Sequence, residues 1–138
     1  MSDVVVDASV AAPFFIADER GDRLDELITV LTDGRALVPQ HWRLEVANLG
    51  RKAVRQMRIS REELQEAIAL LSTWPVRVDR LTDEMAWSRT LDIASDNDLT
   101  SYDAAYLELA KRTGFALATA DKALRRAAPR EGVSLFPL

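Results

Sequence analysis

The 138-residue chain has no cysteine and one histidine, and none of its apolar runs approaches the roughly 18 residues that a membrane helix requires. Each absence removes a class of function. Without cysteine there is no disulfide frame, no thiolate zinc site and no cysteine nucleophile. His41 alone cannot form a histidine-rich metal site, and no serine sits in a nucleophile-elbow pattern that would make a Ser–His triad. We expect His41 to play a structural or solvent-facing role rather than that of a general base. The sequence does not open with a basic run followed by a long apolar stretch, so we expect a cytoplasmic protein without membrane contact. Aromatic residues are few, at 7%, and the net charge is −4. Both argue against a module that merely coats nucleic acid, which relies on many Lys and Arg contacts to phosphate and on stacking rings. An enzyme that touches nucleic acid through a local basic patch stays open.

Hydrophobic residues at 48% and charged residues at 29% suit an ordinary globular protein, and no linker, repeat or low-complexity tract divides the chain. We therefore expect a single domain over residues 1–138. Short apolar runs alternate with helical patterns. Strands are expected at Val4–Asp7, Ala36–Val38, Val76–Val78 and Ala116–Thr119, with a short last one at Val133–Phe136. Continuous apolar runs of this kind fit parallel strands covered on both faces. Between them, Arg23–Leu31 carries Leu24, Leu27, Ile28 and Leu31 on one face. Ser60-Arg61-Glu62-Glu63 is a capping box ahead of Leu64, Ile68 and Leu71. Thr82-Asp83-Glu84 opens a further helix, and Gly114 closes the one that contains Ala104–Thr113. The pattern predicts an α/β three-layer sandwich: a parallel sheet of four to five strands, with helices on both sides and right-handed crossovers.

In such a sheet, ligands bind beyond the carboxyl ends of the strands. Asp7 ends the first strand, and Asp121 follows the fourth in Thr119-Ala120-Asp121. Asp103 falls in the first turn of the helix leading into the fourth strand, and Glu45 falls early in the helix after the second. If the first and fourth strands are neighbours, these four acids converge on one rim. Clustered carboxylates repel one another and are tolerated around a hard cation, which points to Mg²⁺ or Mn²⁺. Such ions support hydrolysis of a phosphodiester. Each acid also has a plainer reading. Asp7 and Asp103 suit helix N-termini, with Asp98 or Ser101 as the alternative cap beside Asp103, and Asp121 suits a polar turn. Glu45 lies in an apolar segment and needs a partner, for which Asn48 and Lys52 share its face.

Four stretches, VVVDASVA, VPQHWRLEVAN, LTSYDAAYLELA and ALATADKAL, span Val4 to Leu124. In this order they resemble the PIN-domain ribonucleases, and within them the VapC-type toxins of bacterial toxin–antitoxin pairs. The resemblance implies a metal-dependent endoribonuclease. Asp7, Glu45, Asp103 and Asp121 would hold Mg²⁺ or Mn²⁺, and Ser9 and Thr119 would support them. Asp96 and Asp98, just before the third stretch, are left to a loop. The resemblance also implies an antitoxin partner held in an apolar groove, and a homodimer. Two other readings start from an acid at a strand tip. An aspartyl-phosphate phosphatase wants a second acid two residues after Asp7, where Ser9 stands. A receiver-like phosphorylation switch wants an acidic pair that is also missing.

Arg51, Lys52, Arg55, Arg58 and Arg61 form the densest basic stretch, with Arg51, Arg55 and Arg58 expected on one helical face. With Lys122, Arg125 and Arg126 it forms either a solvated surface or a track for an RNA backbone. Arg51, Lys52, Arg55 and Lys122 are the candidate RNA contacts. Trp42, Trp74 and Trp87 are expected in the core or at its rim, and Pro13-Phe14-Phe15-Ile16 is an apolar knot that packs inward or lines a groove.

Overall fold

The computed structural model describes residues 3–16 and 22–138, with the side chains of Asp22 and Arg23 outside the described set. Four parallel strands, β1 (Val4–Val6), β2 (Ala36–Val38), β3 (Val76–Val78) and β4 (Leu117–Ala118), form one sheet in the order β3-β2-β1-β4. Consecutive residues of a strand point to opposite faces, so burial of every residue in β1 and β2 means that both faces of the central sheet are covered. This is the expected α/β architecture.

The connections are helical, as parallel pairing demands. A 3-10 helix (Ala8–Phe14) and α1 (Asp22–Asp33) join β1 to β2; α2 (Trp42–Arg55) and α3 (Arg61–Leu71) join β2 to β3. From β3 the chain passes through α4 (Thr82–Met85), a π-helical segment (Ala86–Thr90), α5 (Leu91–Asn97) and α6 (Ser101–Thr113) to β4, and α7 (Lys122–Arg130) follows. Among the described residues, no helix is long and apolar enough to cross a membrane.

Local rules decide most element ends. Ser60 accepts the Glu63 amide at 3.1 Å and Glu63 accepts the Ser60 amide at 3.0 Å, the reciprocal capping box. Gly114 ends α6 at φ 78°, a left-handed position that costs glycine little. Leu24, Leu27 and Leu31 bury the inner face of α1. At Gly50 the reason for glycine is space: an added Cβ would lie 2.5 Å from Leu64 Cδ1 and 3.2 Å from the ring of buried Phe15, so α2 packs directly on α3 and the 3-10 helix.

Several expectations need correcting. The last strand reduces to a single bridge, Leu135 to Leu117, in which Leu117 N donates to Ser134 O at 2.9 Å and Phe136 N to Leu117 O at 2.8 Å. β3 is an edge strand with Arg77 and Val78 exposed. The helix opened by Thr82-Asp83-Glu84 is present as α4, but it is a single turn, and the Thr82 hydroxyl donates to Asp79 at 3.0 Å. Thr100, rather than Asp98 or Ser101, caps α6 by accepting the Asp103 amide at 3.1 Å. Asp98 instead closes α5 in the left-handed conformation. The basic face of α2 ends at Arg55: Met57 turns left-handed at φ 60°, and Arg58 lies beyond the helix. Trp42 is buried and Trp74 half-buried, but Trp87 is 93% exposed on the π-helical segment.

Candidate active site

The sheet runs outward from β1 through β2 to β3, and the chain then returns to the other side of β1 to form β4. The reversal falls between β1 and β4, where Val5 pairs with Leu117 and Val6 with Ala118. A crevice beyond the carboxyl ends of two such strands is where open α/β sheets bind ligands. Asp7 follows β1 directly, its amide donating to Ala118 O at 2.9 Å, and Thr119-Ala120-Asp121 follows β4.

Asp7 is not a helix cap. It precedes the 3-10 helix, but its side chain bonds no helix amide. It is 5% exposed, and its Oδ2 accepts two hydroxyls, Ser9 Oγ at 2.6 Å and Thr119 Oγ1 at 2.8 Å. Each hydroxyl accepts a backbone amide in turn, Ser9 from Ala120 at 3.0 Å and Thr119 from Asp121 at 3.0 Å. The two strand tips are thus joined by a directed network in which every proton is assigned. Asp7 Oδ1 has no hydrogen-bonding partner among the described residues. Burial pushes the Asp7 carboxyl up; the two hydroxyls oppose this, and the charges of Glu45 and Asp121 add to it.

Asp121, for which the plainer reading is a polar turn, caps α7, its Oδ2 accepting the Leu124 amide at 2.9 Å. Asp103 stands in the first turn of α6, pushed up to about 6 by burial first and then by the charges of Asp7, Asp121 and Glu45. Asp103 is thus near enough to Asp7, Asp121 and Glu45 to feel the charge of each. Glu45 takes its partner from another helix rather than from Asn48 or Lys52: Tyr106 of α6 donates its phenol proton to Glu45 Oε1 at 2.5 Å. Burial, and then the bond to Glu45, raise the Tyr106 phenol and hold it as a donor. His41, just before α2, lies with Nε2 3.0 Å from the Tyr102 carbonyl and 3.4 Å from Glu45 Oε1. Both are acceptors, so we assign the proton to Nε2, which makes His41 a donor that ties the starts of α2 and α6 together.

Sequence reasoning missed Tyr106. The signal was helical spacing: in Ser101-Tyr102-Asp103-Ala104-Ala105-Tyr106 the tyrosine stands three residues after Asp103, on the same flank of the helix. The other acids in question lie elsewhere. Asp96 lines a cavity of about 520 Å³ with Arg89, Lys111, Arg112 and Glu131, and Asp98 ends α5. Arg51, Lys52 and Arg55 lie on the outer part of α2, Arg51 donating to Asn48 at 3.5 Å, and Lys122 is the first residue of α7, next to Asp121.

Among the described residues, no three acidic or imidazole side chains stand close enough to grip an ion between them. The donor set nevertheless fits a small hard cation. It is all carboxylate oxygen, it carries mutual repulsion, and one oxygen of Asp7 is unbonded among the described residues. Mg²⁺ and Mn²⁺ keep several waters and ask few direct ligands of a protein.

The sequence matches the PIN domain family over residues 4–129, nearly the whole chain, and the protein belongs to that family. PIN domains are in general metal-dependent nucleases. A solved structure described as the crystal structure of PAE2754 from Pyrobaculum aerophilum is similar, with 25% identity and a TM-score of 0.63 over 91% of this chain and 79% of that one. No curated protein matches the sequence.

Proposed function

We propose that this chain is a metal-dependent endoribonuclease that acts as the toxin of a toxin–antitoxin pair of the VapC type. The observation that carries the nuclease reading is the rim at the β1–β4 reversal, where Asp103 is pushed up to about 6 by burial and by Asp7, Asp121 and Glu45. In this reading Asp7, Glu45, Asp103 and Asp121 hold Mg²⁺ or Mn²⁺. The bound ion supplies Lewis-acid activation of water and offsets charge building on the phosphoryl oxygens. The residues of the chain do the rest. Ser9 and Thr119 fix Asp7 through Oδ2, which leaves Oδ1 as the oxygen that would hold the ion. Tyr106 fixes Glu45. Asp121, anchored to the α7 amide through Oδ2, presents its other oxygen to the ion or to water. Arg51, Lys52, Arg55 and Lys122 steer the RNA backbone towards the rim.

The partner reading rests on the resemblance and on three adjoining apolar cavities of about 290, 290 and 300 Å³. Trp74 is shared by two of them, and Phe14 and Leu70 by two, so they adjoin along α1, α2 and α3. In this reading a hydrophobic antitoxin segment fills them and the toxin is a homodimer. The aspartyl-phosphate reading is weaker, because Ser9 stands where its second acid belongs.

The test is cleavage of single-stranded RNA with Mg²⁺ or Mn²⁺. Asp7→Asn keeps the size and the hydroxyl contacts but removes the charge, and we expect at least a hundredfold loss with unchanged circular dichroism. Parental rates in that variant would overturn the assignment.

A further inference from the structure

Tyr102 is an unused feature of the rim. It directly precedes Asp103 in the first turn of α6, and it is 65% exposed although a tyrosine ring is a large apolar surface. Its position is not loose. The His41 ring meets it edge-on at 5.8 Å and 64°, and the same imidazole meets buried Tyr106 at 5.4 Å and 68°. His41 Nε2 also bonds the Tyr102 carbonyl at 3.0 Å. Three rings therefore run outward from the core: Tyr106, which bonds Glu45, then His41, then Tyr102 in solvent. Leu44, 76% exposed, stands at the same end of α2, one residue before Glu45.

We propose that Tyr102 is a stacking platform for one nucleobase of a single-stranded RNA, next to the phosphate that lies over the acid rim. The proposal rests on the nuclease reading and adds a base-binding subsite to it. An aromatic face takes any base, and stacking typically accounts for about five- to a hundredfold in binding per base. The backbone bond from His41 fixes the main chain at Tyr102 and the edge contact restricts its ring before RNA arrives, which lowers the ordering cost of binding. Because Tyr102 and Asp103 are consecutive on a helix, a base held on one sets the register of the phosphate at the other. Tyr102 is thus a positioning residue, with its effect expected in KM more than in kcat.

The experiment uses the full chain and a labelled single-stranded RNA whose cut site has been mapped, alongside versions in which each nucleotide flanking the cut is made abasic. We expect Tyr102→Ala and Tyr102→Leu to raise KM about tenfold on intact RNA, because leucine restores apolar bulk without a π-face, and Tyr102→Phe to restore the parental KM. At one flanking position the abasic substitution should cost the parent about the same tenfold and cost Tyr102→Ala nothing more. Additive losses at every position, or Tyr102→Phe as impaired as Tyr102→Ala, would overturn the platform while leaving nuclease activity standing. A parent that cuts no RNA with either metal would overturn both the nuclease reading and the platform.

Discussion

Asp7 Oδ2 takes two hydroxyl protons, which keeps the side chain in place without neutralising it. Glu45 is held differently, by one short bond from a phenol that burial keeps protonated. Tyr106→Phe removes that proton and changes little else, since the ring stays packed. Losing a hydrogen bond to a charged group costs about 1.5–3 kcal/mol, so we expect urea unfolding at pH 7 to show a loss in that range. RNA cleavage should fall as well, because Glu45 is then free to rotate off the rim. At this scale the sequence was informative about which acids lie near strand ends and silent about what holds them. Valines followed by Asp7, and the Thr119-Ala120-Asp121 turn, are local patterns. The bond between Tyr106 and Glu45 joins residues 61 positions apart and depends on how two helices cross.

The elements show the same division. The capping box at Ser60, the glycine closing α6 and the apolar stripe of α1 are written in neighbouring residues and were legible. The edge position of β3 and the exposure of Trp87 depend on strand order and on the path after it, which no local pattern encodes. Also invisible was the clamp that ties α6 to the end of β3. Arg112 donates Nε and Nη2 to Glu108 at 2.9 Å each, and Nη1 and Nη2 to Asp79 at 3.1 and 2.7 Å. Glu108 is only 3% exposed. Burial works to raise Asp79, but the bonds from Arg112 and Thr82 and the guanidinium charge hold its carboxyl below the usual range. That contribution is present above the ordinary carboxylate pKa and lost as pH falls through the lower folded value. Arg112→Met keeps the length and strands two buried carboxylates. Breaking a buried pair on one side costs about 3–5 kcal/mol, which thermal or denaturant unfolding at pH 7 would read directly.

For the molecule as a whole, the acid rim sets stability against function. The Asp103 pKa of about 6 lies above its ordinary value of 3.8, so protonation favours the folded state. Its contribution is full below pH of about 4, near the unfolded carboxylate pKa, and is lost as pH rises through about 6. Asp7 shifts in the same direction. Metal-free protein should therefore lose thermal stability between pH 5 and 7, and Mg²⁺ should return more of it at pH 7 than at pH 5, since ligand that binds only the folded state adds stability by mass action. A metal-free melting temperature that rises across this interval, in differential scanning calorimetry, would contradict the account of the rim. The reversal between β1 and β4 is what brings the acids together, and it was foreseen only as a condition: the sequence supplied the strand tips, and the sheet order made them neighbours.

The most direct test of the central claim is calorimetric titration of Mn²⁺ into the parent and into Asp7→Asn, Glu45→Gln, Asp103→Asn and Asp121→Asn at pH 7.5, each variant first shown to be folded. The account predicts binding to the parent and at least tenfold weaker binding in all four variants. Parental affinity in the four amide variants, or a parent that takes up no Mn²⁺, would contradict it.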